Sequence, residues 1–161
     1  MKKEECQFSF ISYSSINELN EEDAKLLSAA RKIAEAAYAP YSKFCVGAVA
    51  MLSNGETVSG TNQENASYPA GLCAERVLLA SVSSLYPGTP IETIAVSYNN
   101  KNGESNQPIS PCGICRQSLL EYEERTSRPI KLILSGQQGE VIVIERSSSL
   151  LPLSFGSAHL K

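Results

Sequence analysis

The stretch "YPAGLCAERVLLA", residues 68–80, passes from a turn-forming start into an apolar pattern at helical spacing, and Cys73, Glu75 and Arg76 stand at the join. It predicts a helix from about Cys73 to Leu85, closed by "PGTP" at 87–90. What flanks this helix decides the fold. Upstream, "FCVGAVAML" (44–52) and "TVSGTN" (57–62) surround "SNGE", where Asn54-Gly55 predicts a β-hairpin with a two-residue turn. Before the hairpin, "NEEDAKLLSAARKIAEAA" (20–37) offers an N-cap in Asn20, an acidic first turn, and Leu26, Ala30, Ile33 and Ala37 at helical spacing. That helix is ended by Pro40.

Downstream, "IETIAVSY" (91–98) reads as a buried strand, followed by the polar loop "NNKNGESNQ" (99–107). Pro111 then precedes a helix from about Cys112 to Arg125, and strands follow near 130–135 and 140–145 with a turn at Gly139. The order α-ββ-α-β-α-β-β predicts an α/β fold: a three-layer α/β/α sandwich with helices on both faces of one five-stranded mixed sheet. No internal repeat, low-complexity run or interdomain linker interrupts it, and 161 residues suit one domain.

With 42% hydrophobic and 19% charged residues the composition is that of a globular domain with enough apolar side chain for a core. The formal charge of -3, with no basic run longer than Lys2-Lys3, argues against nucleic acid as a partner and favours a small molecule. "MKKEECQFSFISYSS" has too short and too interrupted an apolar part for a signal peptide, and no segment approaches the roughly 20 apolar residues of a membrane span. The expected location is the cytoplasm, where thiols stay reduced. Five cysteines, three of them clustered by motif, then point to metal or catalysis rather than disulfides.

Cys112 and Cys115 lie in "SPCGICRQS", a C-x-x-C at a helix start, where an offset of three residues puts both sulfurs on one side of a turn. A redox pair, a structural zinc site and two unrelated buried thiols all fit that motif alone. Cys73, at the start of another helix, supplies a third thiol, and helix N-termini favour thiolates. A structural zinc site wants four closed ligands, whereas three leave a position open. Glu75, two residues from Cys73, is either a first-turn glutamate favoured by the helix dipole or a base able to activate water beside the metal. Its company with the cysteines favours the second.

The sequence C-A-E followed by P-C-x-x-C is the zinc-deaminase pattern in its three-cysteine form. Together with "YSKFCVGAV", "TNQENASYPAGLCAER", "SPCGICRQSLLEY" and "LLPLSFG", it makes the chain resemble the small, homotetrameric cytidine deaminases over about residues 20–156, with 1–19 as an extension. The resemblance implies a cytidine deaminase-like fold with one Zn2+ per chain on Cys73, Cys112 and Cys115. Glu75 is then the proton shuttle, taking a proton from the attacking water and delivering protons to N3 and the departing amine of the pyrimidine. Asn62 and Glu64 match a pair that binds ribose hydroxyls, Ala74 a residue whose backbone meets the pyrimidine, and Phe44 and Phe155 aromatics around the nucleoside. By residue type alone both phenylalanines would be core.

Arg76 matches a guanidinium placed to offset the negative charge of three thiolates on zinc; an ordinary solvated arginine is its other reading. The implied activity is hydrolytic deamination of cytidine and deoxycytidine to uridine and deoxyuridine with release of ammonia, a step of pyrimidine salvage. The implied assembly is a homotetramer, with Tyr68 and the segment carrying Phe155 at its interfaces.

Two alternatives stay open: a blasticidin S-type or other aminopyrimidine nucleoside deaminase, and a zinc-stabilised interaction module without catalysis. Cys45 stands where the family pattern has proline and is expected to be a small buried residue. Cys6 has no assigned role, and His159, the only histidine, is expected to be exposed. The 99–107 loop and the N-terminal extension exceed a minimal family member and leave the substrate open.

Overall fold

The structure, a computed structural model, describes residues 1–160. Helix α1, Glu21–Ile33, starts where expected: the Asn20 side chain accepts the Asp23 N–H at 2.9 Å, and Glu21, Glu22 and Asp23 fill the first turn. It ends earlier than expected. After Ile33 the chain tightens into a 3-10 turn, Ala34–Ala36, and Tyr38 N–H is drawn to Asn62 C=O at 3.1 Å. The helix therefore stops before Pro40 is reached.

Strands β2 (Phe44–Leu52) and β3 (Thr57–Thr61) form the hairpin, but not through a two-residue turn. The loop has three residues, Ser53-Asn54-Gly55. Gly55 N–H donates to Leu52 C=O and Leu52 N–H to Glu56 C=O, both at 2.9 Å. Only Gly55 has a positive φ (85°), so Asn54-Gly55 completes a turn plus bulge in which a single left-handed residue suffices.

Helix α2 (Ala74–Leu85), strand β4 (Ile91–Asn100), helix α3 (Gly113–Thr126) and strands β5 (Lys131–Ser135) and β6 (Val141–Ile144) follow close to their expected bounds. A further strand, β1 (Ile11–Tyr13), pairs antiparallel with β6, Ile11 opposite Val143 and Tyr13 opposite Val141. The sheet therefore has six strands in the order β1-β6-β5-β4-β2-β3, not five. The extra strand was silent because three largely exposed residues on an edge are too few to display a period of two. Only β4 and β5 run parallel, joined through α3, and every other pair is antiparallel, so the sheet is mixed.

Alternation along the strands sorts the core into two clusters. Val49, Ala95 and Ile133 join Leu27 and Ala30 of α1. Their chain neighbours Ala48, Ala50, Ile94, Val96, Leu132 and Leu134 join Leu78 and Val82 of α2 and Leu119 and Tyr122 of α3. Strands β4 and β5 are thus apolar on both sides, which is why their sequences run continuously rather than alternating.

One close approach positions the site. A Cβ on Gly60 of β3 would lie 2.5 Å from Leu78 N and 2.6 Å from Ala74 O, so the first turns of α2 lie directly on the sheet backbone. Opposite Gly60 on β2 stands Ala48, equally small. Among the described residues no helix is long and apolar enough to cross a membrane.

Candidate active site

Helices α2 and α3 present their N-termini to one place. Cys73 is the N-cap of α2 and Cys112 that of α3, and neither spends its sulfur on a capping hydrogen bond. Cys115 follows within the first turn of α3 and is fully buried. The Sγ atoms of Cys73 and Cys112 are 3.6 Å apart, those of Cys112 and Cys115 3.4 Å, and all three lie within 4.8 Å of one another. Zinc–sulfur bonds of about 2.3 Å in a tetrahedron set sulfurs about 3.8 Å apart, so the triad fits zinc after small adjustment.

The proton balance of the triad favours metal binding as well. Hydrogen bonding from Cys115 and Cys112 pulls the Cys73 thiol down to about 6, with help from the Arg76 charge and against burial and Glu75. Cys115 is pushed far up, chiefly because it donates to Cys73 and is buried. One thiolate already exists at neutral pH and its neighbour donates to it, a set that exchanges its remaining protons for a cation.

Glu75, the second residue of α2, is only 5% exposed. Burial raises its carboxyl above the usual range, while its own N–H and the Cys115 thiol pull the other way. It lines the same cavity as Cys73 and Cys112, a space of about 460 Å³ between the two helix N-termini and the end of the β2–β3 hairpin.

The cavity brings together Glu75, Phe44, Asn62, Glu64 and Ala74, five of the residues singled out from sequence. Phe44 stacks on Tyr98 with ring centroids 4.8 Å apart, which fixes one wall. Asn62 is tied to β2: its Oδ1 accepts from Val46 N–H at 2.7 Å and its Nδ2 donates to Phe44 C=O at 2.9 Å, leaving one N–H free. Glu64 accepts from Tyr41 N–H at 2.8 Å and from Ser42 N–H at 3.3 Å. Hydrogen bonding by the Ser42 side chain, then the two N–H groups and Lys43, hold its carboxyl below the usual range despite some desolvation. Ala74, fully buried, begins α2, whose first N–H groups have no partner within the helix.

Two residues singled out from sequence lie elsewhere. Phe155 is 58% exposed outside the cavity, stacked on His159, with its C=O accepting from Gln117 Nε2 at 2.9 Å. Arg76 lines a groove between α2 and α3 with Tyr122 and Arg125, and its guanidinium acts on Cys73 through charge. Cys45 is buried in β2, and Cys6 is exposed.

Sequence reasoning passed over Ser42, Leu72, Ile109 and Ser110 in the cavity wall. Ile109 and Ser110 directly precede "PCGIC", and that adjacency was the available signal. Leu72 is set by its backbone pairing with Gln63, at 2.8 and 2.9 Å, which no local pattern announces. Gly60 was missed too, although a glycine inside a strand is itself a sign of close backbone approach.

A profile of the cytidine and deoxycytidylate deaminase zinc-binding region matches residues 20–128. The chain is 37% identical to a cytidine deaminase of Halalkalibacterium halodurans over 130 residues, 81% of this chain and 91% of the relative. It is 36% identical to one of Sporosarcina psychrophila over 138 residues, 84% and 93% of the two chains. The crystal structure of cytidine deaminase from Burkholderia pseudomallei superposes with a TM-score of 0.72 at 37% identity, covering 85% of this chain and all of that one.

Proposed function

The chain belongs to the cytidine and deoxycytidylate deaminase family, and on that premise we propose that it is a hydrolase converting cytidine and deoxycytidine to uridine and deoxyuridine with release of ammonia. The observation that carries this reading is a buried carboxyl, Glu75, sharing one cavity with sulfurs at zinc-binding separation. Zinc held by Cys73, Cys112 and Cys115 supplies Lewis acidity that makes water nucleophilic near neutral pH.

The chain's own residues do the rest. Glu75 takes one proton from the attacking water and gives it to N3. It then takes the second from the hydroxyl now on C4 and gives it to the amine, which leaves as ammonia as the C4 carbonyl forms. A carboxyl raised by burial suits that double duty because it holds a proton more readily than a solvated one. Phe44 flanks the pyrimidine, with the backbone of Ala74 at its polar edge. The free N–H of Asn62 and the remaining lone pairs of Glu64 serve the ribose hydroxyls, one donor beside one acceptor. Arg76 offsets part of the thiolate charge, which its effect on Cys73 supports.

Phe155 lies outside its own chain's cavity, and the cavity wall carries exposed Tyr68 and Leu72. Both features support a homotetramer in which neighbours complete each pocket through Phe155. The two separate apolar clusters support the three-layer α/β/α arrangement of a single deaminase domain, with 1–19 as an extension to a 20–156 core. The setting that fits this chemistry is pyrimidine salvage in the cytoplasm.

The test is ammonia release from cytidine, deoxycytidine and blasticidin S, with zinc content measured on the same sample. Turnover of the first two with one zinc per chain is expected. Exclusive use of blasticidin S, or full zinc with no turnover of any cytosine nucleoside, overturns the reading.

A further inference from the structure

The three sulfurs are not held equally. Cys115 is fully buried within α3 and Cys73 half-buried at the start of α2, whereas Cys112 is exposed at an N-cap, where packing does little to fix it. Its constraint comes from Arg116. The Arg116 backbone N–H donates to Cys112 C=O at 2.9 Å, and its Nε donates to Pro111 C=O at 2.9 Å. The peptide units on either side of the Cys112 Cα are thus gripped by one residue. Together they set the backbone angles of Cys112 and hence the direction of its Cβ and Sγ.

The grip is itself anchored. Arg116 Nη1 donates to Leu150 C=O at 3.0 Å, and Leu150 belongs to the core cluster beneath α2 and α3. The turn Ser147–Leu150 is held at its other end by Glu123 of α3, whose Oε1 accepts from Ser147 N–H at 3.0 Å and Oγ at 2.8 Å. A planar guanidinium holds two carbonyls at fixed angles, whereas an ammonium on a flexible stem can reach both without fixing the angle between them. Buried carbonyls such as that of Pro111 also need a partner once water is excluded.

We propose that Arg116 is a positioning residue for the metal site, holding Cys112 in register with Cys73 and Cys115 by bridging Pro111 to the Leu150 turn. This rests on the reading of the three cysteines as zinc ligands. Its role is separate from that of Arg76, which acts on Cys73 through charge.

Zinc affinity of the full chain, by competition with a chromogenic chelator, tests the proposal together with the thiolate-to-metal absorption of the cobalt-substituted protein. Arg116→Ala should bind zinc about 10- to 100-fold more weakly, the usual effect of removing a group that orients a ligand, and should shift the cobalt spectrum. Arg116→Lys should fall between it and wild type, and Arg125→Ala should match wild type. A folded Arg116→Ala with wild-type affinity and spectrum overturns the proposal. If Arg116→Ala does not fold, the lysine variant decides: wild-type affinity and spectrum there mean that the fixed two-carbonyl geometry of the guanidinium is dispensable, which overturns the proposal. Both readouts work without substrate, so a failure here stays distinct from a failure to deaminate cytidine.

Discussion

The floor of the cavity and its rim are built by different means. On the floor, Cys73, Glu75, Cys112 and Cys115 all come from the first turns or N-caps of two helices packed on the same core cluster. Within each helix their spacing is covalent and helical; between the helices it is set by packing on the shared core and, at Cys112, by the Arg116 bridge. On the rim, Asn62 and Glu64 hold their places by reaching Val46, Phe44, Tyr41 and Ser42, partners 16 to 23 residues away. The floor inherits rigidity from the core; the rim depends on individual hydrogen bonds. Changes on the floor should therefore act on chemistry and metal, and changes on the rim on substrate affinity.

The largest expected effect is that of Glu75→Gln, which removes the proton carrier and keeps the shape. It should lower kcat by about 10²- to 10⁴-fold, the usual share of a positioned acid-base group, with zinc content unchanged. A variant retaining most of its turnover would break the assignment of the chemistry to the floor. The same substitution has a stability signature in zinc-free protein. Because burial raises the Glu75 carboxyl, its contribution is intact below the ordinary carboxylate range and is lost as pH rises through the folded value. Glu75→Gln should therefore melt higher than wild type near neutral pH and at the same temperature in acid.

Next comes Gly60→Ala, which probes how the floor is seated. The added Cβ would meet backbone atoms of Ala74 and Leu78 that cannot rotate away, so α2 must move. A cost toward the upper end of about 1–3 kcal/mol in denaturant unfolding is expected, with weakened zinc binding because Cys73 moves with the helix. Unchanged stability and zinc affinity would mean that α2 has slack at its N-terminus.

The same contrast explains what could be read from sequence. The floor was legible because C-x-E and C-x-x-C at helix starts map directly onto neighbouring side chains. The order of helices and central strands was legible from periodicity. Three features were not. Strand β1 is three residues long, too short for a pattern. The hairpin loop was misread because Asn-Gly fits two turn types, which differ only in whether Asn54 is also left-handed. Arg116 sits in full view next to Cys115, yet its reach to Leu150, 34 residues on, is a matter of tertiary structure. The resemblance pointed to Asn62 and Glu64, but the bonds that hold them join segments whose proximity exists only after folding.

On the rim, Asn62→Ala should cost about 1 kcal/mol per lost hydrogen bond, since both bonds are only partly buried. The effect should appear mainly as a higher KM for cytidine with kcat less changed. A fall in kcat with constant KM would move Asn62 from the rim to the floor in functional terms.

The smallest effect is expected at Glu64, and its value is in the direction of a titration. Its carboxyl is held below the usual range by Ser42 and by the Tyr41 and Ser42 N–H groups, so the ionised form is the one that fastens the 41–42 segment. A depressed carboxyl contributes fully above the unfolded value, and that contribution disappears as pH falls through the folded value. The Tyr41 amide proton, followed by NMR, should thus hold one chemical shift through neutral and mildly acidic pH and change only below the ordinary carboxylate range. Glu64→Gln should abolish that transition and raise KM modestly at neutral pH. A Tyr41 midpoint at or above the ordinary carboxylate value would show that Glu64 gains nothing from these partners, and the rim would then owe its shape to Asn62 alone.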